Sequence, residues 1–108
     1  DKRTNQVLNS QLNIGLKSIK KINDIIIAYE PVWSIGTGLI PTSEELSKSI
    51  KFIKSKFRKK SPKVLYGGSV NSKNIDQLKI IPDIDGFLIG GASQNPKKFI
   101  DIIKKTIN

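Results

Sequence analysis

A chain of 108 residues with 19 basic and 9 acidic side chains, net charge +10, is long enough for one hydrophobic core and not for two. It contains neither cysteine nor histidine, which excludes disulfides, thiolate or imidazole metal sites and a serine–histidine triad within these residues. No apolar run is long enough to span a bilayer, and the opening Asp1-Lys2-Arg3 has neither a methionine nor a secretory signal pattern. That opening leads us to expect a part of a longer chain, and the lack of cysteine fits a cytoplasmic one. The basic excess raises the question of a nucleic-acid partner. Lysines, however, are spread over every predicted helix, arginine occurs only at Arg3 and Arg58, and aromatic residues do not interleave with them. Solvated helix faces account for this pattern, so neither nucleic acid nor membrane is expected as a partner.

In chain order, residues 4–20 predict an amphipathic helix, with Leu8, Leu12, Leu16 and Ile19 on one stripe and Gly15 as a weak point. Ile25 to Tyr29 predicts a strand apolar on both faces, as a helix-covered parallel sheet requires. Its end is abrupt. Glu30 is followed by Pro31, which cannot extend a ladder, and then by a loop to Pro41 that contains Trp33, Gly36 and Gly38. A carboxylate at a strand end beside a glycine-bearing loop has the makings of a base next to a lid. Thr42-Ser43-Glu44-Glu45 is a capping box. The helix it opens places Leu46, Ile50, Ile53 and Phe57 on one face and runs toward Arg58-Lys59-Lys60, before Ser61-Pro62.

Lys63 to Tyr66 predicts a second strand closed by Gly67-Gly68, residues 72–80 a short helix using Ile75 and Leu78, and Gly86 to Ile89 a third strand closed by Gly90-Gly91. Asn95 caps a final helix with Pro96 in its first position and Phe99, Ile102, Ile103 and Ile107 facing inward. Strands alternating with helices imply parallel strands and right-handed crossovers in a single α/β domain over residues 1–108. Ligands in such sheets bind beyond the carboxyl ends of the strands, where all three glycine-bearing stretches fall. Glycine pairs there let backbone amides approach an anion such as phosphate.

The stretch Ala28-Tyr29-Glu30-Pro31-Val32-Trp33-Ser34-Ile35-Gly36-Thr37-Gly38, with Tyr66-Gly67-Gly68-Ser69-Val70 and Asp85-Gly86-Phe87-Leu88-Ile89-Gly90-Gly91-Ala92-Ser93, closely resembles the triosephosphate isomerase family. The order and approximate spacing of the three motifs match as well. The resemblance implies a partial (β/α)₈ TIM barrel, the C-terminal three β/α units preceded by one helix. It implies interconversion of dihydroxyacetone phosphate and glyceraldehyde 3-phosphate, with Glu30 as the base and Gly36, Ser69, Gly90 and Gly91 on the substrate phosphate. Pro31, Val32, Trp33, Ser34, Ile35, Thr37, Gly38 and Pro41 would form the lid and its hinges, with Tyr66 pinning the closed lid. No cofactor and no metal is implied. The expected partners are a triose phosphate, the complementary N-terminal part of the barrel and a second copy in a homodimer.

The family's electrophilic His and its active-site Lys and Asn fall outside these residues. Two positions depart from the usual pattern: Leu39 stands where Lys is common, and Pro41 cannot offer Tyr66 an amide. Tyr66 is therefore expected to matter less for lid closure here. Three rival readings are another phosphate-binding barrel, a non-catalytic barrel fragment needing a complementary chain, and a basic nucleic-acid module.

Overall fold

The structure, a computed structural model, describes residues 2–21, 25–31, 34, 36–57 and 60–107. Among the described residues four helices and three strands alternate as α1 (Lys2–Gly15), β1 (Ile26–Tyr29), α2 (Ser43–Ser55), β2 (Lys63–Tyr66), α3 (Ile75–Lys79), β3 (Gly86–Phe87) and α4 (Pro96–Ile107), with a 3₁₀ turn at Gly91–Gln94. The strands form one parallel sheet in the order β1-β2-β3, with Tyr29 beside Tyr66 and Tyr66 beside Phe87. Parallel neighbours in sequence order place α2 and α3 as the crossovers.

Every helix contributes to a single core: Leu8 from α1, Leu46, Ile50 and Ile53 from α2, Ile75 and Leu78 from α3, and Ile102 from α4, packed with Val64 and Tyr66 of β2. The opposite side of the sheet is open. Ile26 is 65% exposed and Ala28 is also exposed, although both are apolar. A strand built for burial on two faces is thus covered on one, the sidedness of a barrel wall whose helices lie outside. Among the described residues β1 also has a partner along only one edge.

Local signals account for most element ends. The Thr42 hydroxyl accepts from the Glu45 amide at 3.1 Å, capping α2 as the sequence predicts. Asn95 Oδ1 likewise accepts from the Lys98 amide at 3.2 Å, with Pro96 opening α4. Several boundaries differ from expectation. Helix α1 ends at Gly15, a residue that costs ~1 kcal/mol relative to Ala in a helix, and residues 16–18 continue only as turns. Ile19 is accordingly exposed.

Helix α2 stops at Ser55, so Lys54 is the basic residue of its last turn; Arg58 and Lys59 lie outside the described residues, and Lys60 lies outside the helix. Residues 72–74 form a turn held by asparagine side chains rather than the start of α3. Strand β3 pairs over two residues because β2 ends at Tyr66, although the Leu88 amide still reaches the Tyr66 carbonyl at 2.9 Å. In α4, Ile102 is buried and Phe99 half-buried, while Ile103 and Ile107 point to solvent.

One acidic side chain ties strand to helix. Asp85 Oδ2 accepts from the Val64 amide at 2.9 Å and pairs with Lys54 Nζ at 3.0 Å. Burial alone would raise its pKa, but the Val64 amide, the Lys54 ammonium and the charge of Lys63 outweigh that and hold the carboxyl below its usual value.

Candidate functional site at the carboxyl ends of the strands

Glu30 follows β1 directly and is exposed. Its side chain lies over Gly67, the first residue beyond β2: a Cβ built on Gly67 would stand 2.9 Å from Glu30 Cγ and 3.1 Å from its Oε1. The Gly67 amide donates to the Tyr29 carbonyl at 2.9 Å, extending the ladder one step past both strands and fixing this approach. A side-chain-free residue at 67 lets the carboxylate lie in this position.

Pro31 and Pro41 are buried at the two ends of the following loop. Gly36 and Gly38 have φ of +69° and +78°, values that side chains disfavour, so the loop's tip depends on glycine at both positions. Thr37 is exposed, and its Oγ1 accepts from the Leu39 amide at 3.1 Å. The expected lid residues Val32, Trp33 and Ile35 lie outside the described residues.

Ser34 is fully buried. Its Oγ meets the Leu39 carbonyl at 2.9 Å, the Tyr66 hydroxyl at 2.6 Å and the Ser69 amide at 3.3 Å. Tyr66, also fully buried, thus has a hydrogen-bond partner despite Pro41, and that partner is a side chain. Burial pushes the Tyr66 hydroxyl's pKa up; the Ser34 bond works against this, and nearby Tyr29 adds to it. The pair sits on Gly68, where any Cβ would collide with both hydroxyl oxygens. Ser69 Oγ donates to the Ser34 carbonyl at 2.6 Å and accepts from the Gly38 amide at 2.8 Å.

The four residues expected around an anion come together. Gly36 from the first loop, Ser69 from the second, and Gly90 and Gly91 from the third all line one cavity of about 430 Å³. Gly90 and Gly91 are exposed, and a Cβ at either would meet nothing within 4 Å. Lys73 and Lys98 also line it, and among the described residues neither makes an ion pair. Behind Ser69 the wall is rigid: Asn74 Nδ2 donates to the Ser69 carbonyl at 2.8 Å, Asn74 Oδ1 accepts from the Asn71 amide, and Asn71 Oδ1 accepts from the amides of Lys73 and Asn74. Glu30 does not line this cavity. It borders a second one of about 300 Å³ with Leu8, Leu12 and Ile53, and Tyr66-Gly67-Gly68-Ser69 runs from beneath the carboxylate to the larger cavity.

Sequence reasoning finds the converging glycines and Ser69 but misses the contact between Glu30 and Gly67. It also misses the role of Ser34 as a hub and the two rim lysines. The Gly67-Gly68 doublet is visible as a strand ending, yet nothing local says which side chain will lie across it. Among the described residues no three His, Cys, Asp or Glu side chains group as a metal site would need, and no helix is long and apolar enough to cross a membrane.

The loops that follow the three strands thus line one cavity, and the exposed Glu30 carboxylate lies at the end of β1 beside Gly67. The chain is 45% identical over 102 residues to the triosephosphate isomerase of Mycoplasma mobile, covering 94% of this chain and 42% of that protein. Identity is 47% to the Zygosaccharomyces bailii enzyme (93% of this chain, 43% of that protein) and 45% to that of Saccharomyces cerevisiae (94% and 43%). The chain therefore spans less than half the length of these curated relatives. The sequence profile of the triosephosphate isomerase family matches residues 1–106, and with its parallel α/β sheet this chain belongs to that family.

Proposed function

We propose that residues 1–108 are the C-terminal part of a single TIM-barrel domain, its last three β/α units preceded by one helix. Within a complete barrel they serve the interconversion of dihydroxyacetone phosphate and glyceraldehyde 3-phosphate. The observation that carries this reading is the meeting of Gly36, Ser69, Gly90 and Gly91 in one cavity, with Glu30 one strand away.

In this reading the amides of Gly36, Gly90 and Gly91 hold the substrate phosphate, and the Ser69 amide joins them by giving up its 3.3 Å bond to Ser34 Oγ. The Glu30 carboxylate removes the proton alpha to the carbonyl, leaving an enediol(ate), and returns the proton to the neighbouring carbon. This is acid–base chemistry that needs no cofactor. An oxyanion-stabilising group from the earlier strands completes the site. The loop from Pro31 to Pro41 closes over the cavity and keeps water from the intermediate. The complete protein acts in the cytoplasm as a homodimer.

The test is Glu30→Gln in a complete barrel carrying these residues. Turnover should fall by about 10²-fold or more, the usual scale for a positioned base. Near-normal kcat would overturn the assignment.

A second expectation concerns the 108 residues alone. The exposed sheet face at Ile26 and Ala28 and the edge of β1 that has no partner among the described residues favour association over a stable monomer. The isolated piece should be molten or self-associated, and inactive for want of its electrophile. Near-UV circular dichroism, sedimentation and an isomerase assay on it decide the matter. A monodisperse, cooperatively folding and active monomer would refute the expectation.

A further inference from the structure

We infer that Ser34 is the positioning residue that latches the lid to the floor of the anion cavity, through a hydroxyl network that replaces the amide missing at Pro41. The inference rests on the proposed function for the meaning of lid and cavity. Its structural part stands on the hydrogen bonds alone.

A serine hydroxyl has one hydrogen and two lone pairs. The Leu39 carbonyl has no hydrogen to give, so the single hydrogen of Ser34 is committed there, at 2.9 Å. Tyr66 must then be the donor across the 2.6 Å contact, which its neutral phenol can be. The Ser69 amide, at 3.3 Å, takes the remaining lone pair. Every valence of Ser34 Oγ is used. Ser69 Oγ is fixed in the same way, donating to the Ser34 carbonyl and accepting from Gly38 N.

Ser34, Gly38 and Leu39 belong to the lid; Tyr66 and Ser69 belong to the floor. The bonds crossing from one to the other are Tyr66 to Ser34, Ser69 N to Ser34, Ser69 Oγ to Ser34 and Gly38 to Ser69. The Ser34 hydroxyl takes part in two of them and also ties the lid's far arm at Leu39. Ser34 and Ser69 are the buried polar residues of the described chain, and they face each other across this seam.

The network predicts an asymmetry. Removing the Ser34 hydroxyl leaves the Tyr66 donor and the Leu39 carbonyl without their partner. Removing the Tyr66 hydroxyl leaves Ser34 still bonded to Leu39 and Ser69. Ser34→Ala should therefore cost more than Tyr66→Phe, since an orphaned buried donor is worse than a deleted one. The double variant should lose no more than Ser34→Ala alone, because the two hydroxyls act through each other.

The experiment uses a complete barrel containing these residues. Three readouts are taken on wild type, Ser34→Ala, Tyr66→Phe and the double variant: amide exchange at Gly38 and Leu39, the binding constant of inorganic phosphate, and kcat and KM. Ser34→Ala should speed exchange at Gly38 and weaken phosphate binding, each by about tenfold, with kcat/KM falling by a similar factor. Tyr66→Phe should move all three less and in the same direction. Unchanged Gly38 exchange and phosphate affinity in a folded Ser34→Ala variant would overturn the inference, and so would losses that add in the double variant. If Ser34→Ala fails to fold, Tyr66→Phe decides: faster Gly38 exchange supports the latch and wild-type exchange refutes it. Failure of the proposed function has a separate mark, an unaltered kcat in Glu30→Gln, and leaves the exchange result to judge the latch.

Discussion

Gly67→Ala isolates the position of the proposed base from the stability of the fold. A Cβ at this residue would lie 2.9 Å from Glu30 Cγ and 3.3 Å from Leu88 Cβ. Carbon atoms rest at about 3.5–4.0 Å, so Glu30 must retreat by roughly 0.6–1.1 Å and Leu88 by roughly 0.2–0.7 Å. Glu30 is exposed and can rotate away, which keeps the energetic cost small. The loss of unfolded-state freedom on replacing glycine returns about 0.4–1 kcal/mol. The unfolding midpoint should then stay within about 4 °C of wild type. Catalysis is less forgiving: a reacting group misplaced by about 1 Å costs on the order of 10²-fold. The assay is steady-state triose phosphate interconversion by a complete barrel, beside thermal unfolding of the same samples. A kcat within about twofold of wild type would refute the claim that Gly67 sets the position of Glu30. A large fall in the midpoint would refute the claim that the carboxylate can move aside cheaply.

Gly68→Ala should behave differently, because its Cβ meets the buried Ser34 and Tyr66 hydroxyls, which have nowhere to go; thermal unfolding should show a loss of about 1–3 kcal/mol. Gly90→Ala should leave room for its Cβ, which meets nothing within 4 Å, and Gly90→Val should weaken inorganic phosphate in a titration by at least about tenfold. Asp85 has a folded pKa below its unfolded one, so its contribution is present above about pH 4 and is lost as acid takes the pH down through the folded value. Asp85→Asn should cost about 1 kcal/mol at pH 7 and flatten that acid limb in denaturant titrations at several pH values. Replacing Lys73 and Lys98 by Gln should raise KM a few-fold at low salt and have little effect at high salt, where exposed charges are screened.

The sheet order, the crossovers and the capped helices are legible because each rests on chemistry within a few residues: Thr42 three before Glu45, Asn95 before Pro96, glycines behind each strand. The three loops that meet at the cavity are legible as well, since parallel strands bring all their carboxyl ends to one edge. What the sequence hides is set by distant partners. Ser34 looks like one small polar residue in a glycine-bearing loop, yet its partners lie 32 and 35 positions on. Pro41 suggests a lost bond to Tyr66, and only the three-dimensional arrangement reveals the hydroxyl that takes it up. Periodicity also overreaches at the edges: Ile103 and Ile107 fit the apolar stripe of α4, but nothing among the described residues reaches far enough to cover them.

The asparagine turn behind Ser69 divides the labour of binding. With Asn74 Nδ2 on the Ser69 carbonyl and Asn71 Oδ1 gathering the amides of Lys73 and Asn74, this wall is held by side chains of its own turn. On the proposed function, an anion would have little to order on that side, and the ordering cost would fall on the opposite wall at Gly36, since Gly38 is already bonded to Ser69 Oγ. On that reading, affinity would be tuned by stiffening or loosening the glycine tip without altering the asparagine turn behind Ser69.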